Sequence, residues 1–99
     1  MPPHEAPRTP IEEAIAAVWA DMLQVERVGV HDNFFALGGD SLMAMRAVVR
    51  LRKALGTELP IRVLFDSQTL EDTALVVEDH ILAEIEELTE EEAQALLAD

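Results

Sequence analysis

Apolar residues recur along this chain at the α-helical period in three stretches and lose that period between them. Ile11, Ile15, Val18 and Met22 make the first stripe, which Ala14 and Trp19 widen; the indole is assigned to the core. Ala44, Val48, Leu51 and Leu55, with Met45 alongside, make the second, and Leu70, Ala74, Val77, Ile81, Ile85 and Leu88 the third. Each predicts an amphipathic helix. A shorter apolar segment, residues 60–65, predicts a helix of one to two turns that starts at Pro60 and turns Leu64 and Phe65 inward. Thr9 with Pro10 and Glu12 reads as a capping box that opens the first helix, and Thr69 with Asp72 opens the third. Arg52 and Lys53 suit the negative end of the second helix, which Gly56 closes in a left-handed cap. Thr89 with Glu92, and Leu88 against Ala93, predict a separate short helix over residues 90–98.

Residues 24–39 break the pattern. Val25, Val28 and Val30 alternate with other residues as in a strand, but no second strand is available to pair with them. A long structured loop is expected, of a length often tied to function. Asp32 is expected to cap a turn that seats Phe34 and Phe35. The predicted fold is all-α: an antiparallel four-helix bundle, three helices long and one short, with this loop between helices 1 and 2.

Composition narrows the classes. Ninety-nine residues make one small domain, whose four aromatic side chains leave the core mainly to Ala, Val, Leu and Ile. Cysteine is absent, which removes disulfides, thiolate metal sites and any thiol of the chain's own, and no metal site is expected. No apolar run is long enough for a membrane span, and the first ten residues lack a secretory pattern, so a cytoplasmic setting without membrane contact is expected. The net charge of −13 argues against nucleic acid as a partner. It is unevenly spread: residues 41–65 sum to +4, whereas residues 66–99 sum to −12 with no Lys or Arg. Arg46, Arg50, Arg52, Lys53 and Arg62 either meet acidic surfaces or balance the protein's own acidic helix, the second being preferred.

The chemistry gathers in residues 32–45, DNFFALGGDSLMAM. Phe34, Phe35 and Leu37 are apolar enough to anchor a loop, and Gly38 and Gly39 make a hinge before the helix that starts at Asp40–Ser41. On position alone Ser41 is a helix cap. A catalytic serine is disfavoured: the pattern G-x-S-x-G fails at Met43, and of His4, His31 and His80 only His31 is placed to reach it as a base. The third reading makes the hydroxyl a substrate for another enzyme, since a helix N-terminus receives a phosphodiester well. Asp40 opposes that charge unless it serves the modifying enzyme.

LGGDSL, preceded by DNFF and followed by a helix ending RLRKALG, resembles the thiolation site of peptidyl carrier domains in nonribosomal peptide synthetases. APRTPIEEAIAAVWADML, VERVGVHDNFF and LPIRVLFDSQTLEDTA resemble the same family, so the likeness covers about residues 6–82. It implies a Pro-rich linker over 1–8, a carrier domain over 9–88 and an acidic C-terminal linker helix over 89–99. It implies further that Ser41, with Asp40 and Gly39 beside it, takes 4'-phosphopantetheine from coenzyme A through a phosphopantetheinyl transferase. The arm's thiol would hold an aminoacyl or peptidyl group, so the domain would be a carrier and not an enzyme, monomeric in isolation. Adenylation, condensation and thioesterase domains are the further implied partners, docking on Leu42, Met43, Arg46, Arg62 and Val63. An acyl or aryl carrier of a polyketide or fatty-acid system, and an unmodified acidic helical adaptor, are the alternatives.

The second helical stripe carries a direct test. Burying a Val side chain stabilises by ~1.5–3 kcal/mol, and a carboxylate in its place has no partner to offset its desolvation. Val48→Asp is expected to abolish the cooperative thermal melt followed by circular dichroism.

Overall fold

The computed structural model describes residues 6–87 and 90–97. Five helices follow in order: α1 (Pro10–Leu23), α2 (Ser41–Leu55), α3 (Val63–Asp66), α4 (Leu70–Glu86) and α5 (Glu90–Leu97). α1 packs on α2 and α4, and α3 bridges α2 and α4. This is the expected all-α bundle, with α5 as the added short helix. The break at Leu88 and Thr89, with the contacts of Thr89 and of Ala93, lies outside the described residues.

α1 starts as its sequence dictates. The Glu12 N–H donates to Thr9 Oγ1 at 3.0 Å, the Thr9 N–H reaches Glu12 Oε1, and Pro10 takes the first helical position. Its end carries no glycine: Gln24 itself adopts the left-handed conformation at φ 56° and donates its N–H to Ala20 O. At Thr69 the side chain accepts from the Asp72 N–H.

Ile15, Trp19, Val48, Leu51, Leu70 and Val77 fill the centre from α1, α2 and α4, joined by Val28, Val30, Phe34 and Leu59 from the connections. Several expected assignments change, Ile85 of α4 among them, which lies 57% exposed. Met45 is exposed, and Ala47 takes the buried position on α2. The short helix starts at Val63 and not at Pro60, because Pro60 to Arg62 form the turn that delivers it. Phe65 lies 41% exposed, since a four-residue helix has room for only Val63 and Leu64 on its inner side.

The loop between α1 and α2 is built from hydrogen bonds. Asp32 closes a turn on Gly29, each accepting the other's N–H, the carboxylate at 2.7 Å. The turn that seats the phenylalanines is capped instead by Asn33, whose Oδ1 accepts from Phe35 N and Ala36 N. One residue's difference decides this, because only Asn33 lies two and three positions before the N–H groups in need. Asn33 Nδ2 also donates to Gln68 O, and the carbonyls of Val30 and Asp32 accept from Glu71 N and Leu70 N at 2.9 Å. Thus the loop caps α4.

A second tie holds the far end. Glu84 of α4 accepts from the Thr57 hydroxyl and from Glu58 N, with His80 Nε2 at 3.9 Å. The Thr57 bond chiefly lowers the Glu84 pKa from its ordinary value; desolvation opposes this, while Glu58 N–H and His80 add to it. A depressed folded-state pKa gives stability that is complete above the unfolded value and disappears as pH falls through the folded one. Glu84→Gln should therefore melt below the parent at pH 7. The gap should close in a series of melts taken progressively below pH 4.5, the ordinary value.

Candidate functional site

All four aromatic residues of the chain stand in one file that leads from the core to the surface. Trp19 meets Phe34 edge-on at 5.4 Å between centroids, Phe34 meets Phe35 at 5.6 Å, and Phe35 lies tilted on Phe65 at 5.5 Å. Such pairs add about 0.5–1.5 kcal/mol each beyond the area they bury. Phe34 is the hinge pin: its ring is buried among α1 and α2 while its carbonyl accepts from Gly39 N at 3.1 Å.

The two glycines beside it serve different needs. Gly38 has φ +110°, a conformation that costs side-chain-bearing residues, with open space where a Cβ would stand. A Cβ on Gly39 would overlap the Phe34 ring and lie 2.9 Å from the Phe34 carbonyl oxygen. Conformation is therefore the demand at Gly38, and clearance the demand at Gly39.

α2 then begins one residue earlier in function than its hydroxyl suggests. Asp40, not Ser41, is the cap: its Oδ1 accepts from Met43 N at 2.9 Å and its carbonyl from Ala44 N. Ser41 is the first helical residue, exposed, with no side-chain hydrogen bond among the described residues. The capping expectation fails because aspartate, in extended backbone at φ −122°, already satisfies the N–H that a serine cap would take. The N–H groups of Ser41 and Leu42 find no protein acceptor among the described residues, so two free donors and the positive helix end adjoin the hydroxyl. These features fit a phosphodiester on Ser41 Oγ.

The surface beside Ser41 differs from the expected one. Leu42 is 57% exposed and Arg46 is exposed, but Met43 is half-buried against the core and Val63 is only 2% exposed. Val63 thus faces inward and presents no docking surface, because α3 has just one inner side to fill. Arg62, at the start of α3, stays outside, 3.8 Å from Asp66. Instead Leu42, Met45, Arg46, Val49, Arg50 and Ile61 line an open apolar groove of about 430 Å³. Sequence reasoning missed Met45, Val49, Arg50 and Ile61, although Val49 was visible as apolar and off the core stripe. The basic residues do not balance the acidic α4: Arg50 pairs with Asp21 of α1 at 2.8 Å, and Arg52 donates to Leu59 O.

The family model described as a phosphopantetheine attachment site matches residues 13–77. The chain belongs to that family. Gramicidin S synthase 2 of Brevibacillus brevis is 43% identical over 74 residues, 75% of this chain but 2% of the synthase, so the carrier domain spans a very small part of this relative. A chain from the structure of the phosphopantetheine transferase Sfp in complex with coenzyme A and a peptidyl carrier protein matches with TM-score 0.71 at 34% identity, covering 77% of this chain and 99% of that one. A non-covalent extended docking domain complex of the Pax nonribosomal peptide synthetase gives TM-score 0.74 at 28% identity, covering 99% of this chain and 91% of that one. Within its family the chain falls with the peptidyl carrier domains of nonribosomal peptide synthetases, which carry 4'-phosphopantetheine and catalyse nothing themselves. Among the described residues, no helix is long and apolar enough to cross a membrane.

The contact at Gly39 predicts a specific coupling. Gly39→Ala should lower the denaturation midpoint by the equivalent of about 1–3 kcal/mol, the usual cost of overpacking. Shortening the opposing ring with Phe34→Leu should recover part of the loss caused by Gly39→Ala and none of that caused by Gly38→Ala. A double-mutant cycle in urea measures both.

Proposed function

We propose that Ser41 is the attachment residue for 4'-phosphopantetheine and that the domain carries aminoacyl or peptidyl groups between the active sites of a nonribosomal peptide synthetase. The observation that carries this is the exposed, unengaged Ser41 hydroxyl at the first position of α2, inside the matched segment and beside two free N–H groups. When attached, the group supplies the thiol, absent from this chain, on which cargo is held as a thioester. The chain's own residues do the placing. Phe34 and Gly39 fix the approach to the helix, Gly38 leaves open space beside it, and Asp40 caps α2 so that Ser41 stays free. Asp40 also puts a negative charge next to the new phosphodiester. Its capping bond occupies only one carboxylate oxygen, leaving the other for the metal centre of the modifying enzyme.

The groove of Leu42, Met45, Arg46, Val49, Arg50 and Ile61, with Arg62 close by in sequence, is the docking surface in this reading. A phosphopantetheinyl transferase would use it first, then adenylation, condensation and thioesterase domains. Its apolar lining near the attachment point supports this role, and the tether supplies the high effective concentration that weak, successive docking requires. Met43 and Val63 pack with the core in this reading and do not line the groove. Coenzyme A as donor, and the lack of a cysteine framework, support a cytoplasmic location.

The capping geometry selects the clean variant. Because Asp40 caps α2, Ser41→Ala should retain the parent's fold and melting temperature within about 0.5 kcal/mol. Incubated with coenzyme A and a broad-specificity phosphopantetheinyl transferase, the parent should gain one phosphopantetheine by intact-mass spectrometry, and Ser41→Ala none. A mass gain on the folded Ser41→Ala variant would place the attachment elsewhere.

A further inference from the structure

The apolar pattern of α4 continues beyond the core it was expected to join. Leu70, Ala74 and Val77 are buried and Ile81 is half-buried, but Ile85, at the next step of the same stripe, is 57% exposed. Leu75 and Leu82, one heptad apart on the adjoining flank, are 54% and 56% exposed. Together with Ile11 of α1, Glu78, Ile81 and Leu82 line an open groove of about 370 Å³. This flank is separate from the Leu42–Ile61 groove, which is built from α2 and the connection before α3.

The charge around it points to its occupant. From Asp66 onward the sequence holds no Lys or Arg; Glu78, Asp79 and Glu86 lie on or beside the flank, and Glu90 to Glu92 follow in α5. Of the other ionisable side chains of α4, Glu71 and Asp72 lie in its first turn, and His80 Nε2 stands 3.9 Å from Glu84. Arg8 reaches α4 at Glu71, near the opposite end. A second copy of a chain with net charge −13 would bring like charge to this rim, so self-association through it is disfavoured. The spacing of Leu75, Leu82 and Ile85 is that of a helix surface awaiting a matching ridge. The counterpart that matches 99% of this chain, this region included, was solved within a docking domain complex.

We infer that the α1–α4 groove and the exposed flank of α4 bind an amphipathic helical segment of another protein chain, apolar on one face and rimmed with Lys or Arg. Leu82 and Ile85 are its apolar anchors, and Glu78 and Glu86 select its charge. This surface acts independently of the Ser41 reading, since neither anchor adjoins Ser41 or the groove beside it.

The test uses the full chain and a synthetic peptide in which leucines at helical spacing alternate with lysines. Its scrambled isomer, of the same composition and charge, is the control. The amphipathic peptide should bind at least about tenfold tighter than the isomer by calorimetry. The amide shifts it induces should centre on residues 78–86. The double variant Leu82→Ser/Ile85→Ser, changed only at exposed positions, should melt like the parent, accept phosphopantetheine like the parent, and lose the preference for the amphipathic peptide. Equal affinity for the two peptides, shifts centred on α2, or an unchanged preference in the double variant would overturn the inference. So would a dimer of the chain in sedimentation that this double variant abolishes, because the occupant would then be a second copy.

Discussion

Phe34 has two tasks that admit only one position. Its ring must enter the core beside Trp19, and its backbone must stay close enough to Gly39 to accept that residue's N–H. The two together fix where α2 begins. Everything downstream follows from that point: the Asp40 cap, the outward Ser41 hydroxyl, and the side of α2 on which Leu42, Met45 and Val49 emerge. The Ser41 hydroxyl is thus placed by rigid packing and not by contacts of its own. Under the proposed role of Ser41, a side chain that a large enzyme encloses is best kept free of bonds that have to be broken first.

Much of this was legible from the residues alone, because short-range rules govern it. Thr9, Pro10 and Glu12 form the box their spacing announces, and the period of Ile15, Val48, Leu70 and Val77 identifies the core. The errors arise where two neighbouring residues compete for one job. Asp40 takes the capping role from Ser41, Asn33 takes the turn from Asp32, and Ala47 takes the inward position from Met45. In each pair both side chains suit the task, and a shift of one or two positions decides between them. Val63 and Phe65 exchanged expected faces for a related reason: a single helical turn has too little pattern to reveal its orientation.

The division of charge also takes on a clearer meaning in three dimensions. On α2, Arg50 pairs with Asp21 of α1 and Arg52 with the Leu59 carbonyl, so neither is directed at the acidic α4, which Arg8 meets at Glu71. The domain therefore carries two surfaces of opposite character. One is apolar with arginines along α2, and the other is apolar with carboxylates on α4. In the proposed carrier role, keeping such surfaces electrostatically distinct discourages like-charge encounters with the wrong face before contact.

The hydrogen bonds from Leu70 and Glu71 to the carbonyls of Asp32 and Val30 have a kinetic corollary. Helices normally fray from their ends, where the first amides lack partners. Here the amides at the start of α4 are closed by a loop nearly forty residues away in sequence, and that loop is in turn pinned by Phe34. The start of α4 and the hydrogen-bonded amides of residues 28–39 are therefore expected to exchange as one opening unit, at a rate set by release of the aromatic file. By this argument the long connection between α1 and α2, irregular in shape, is expected among the slow-exchanging parts of the molecule and not at its fraying rim.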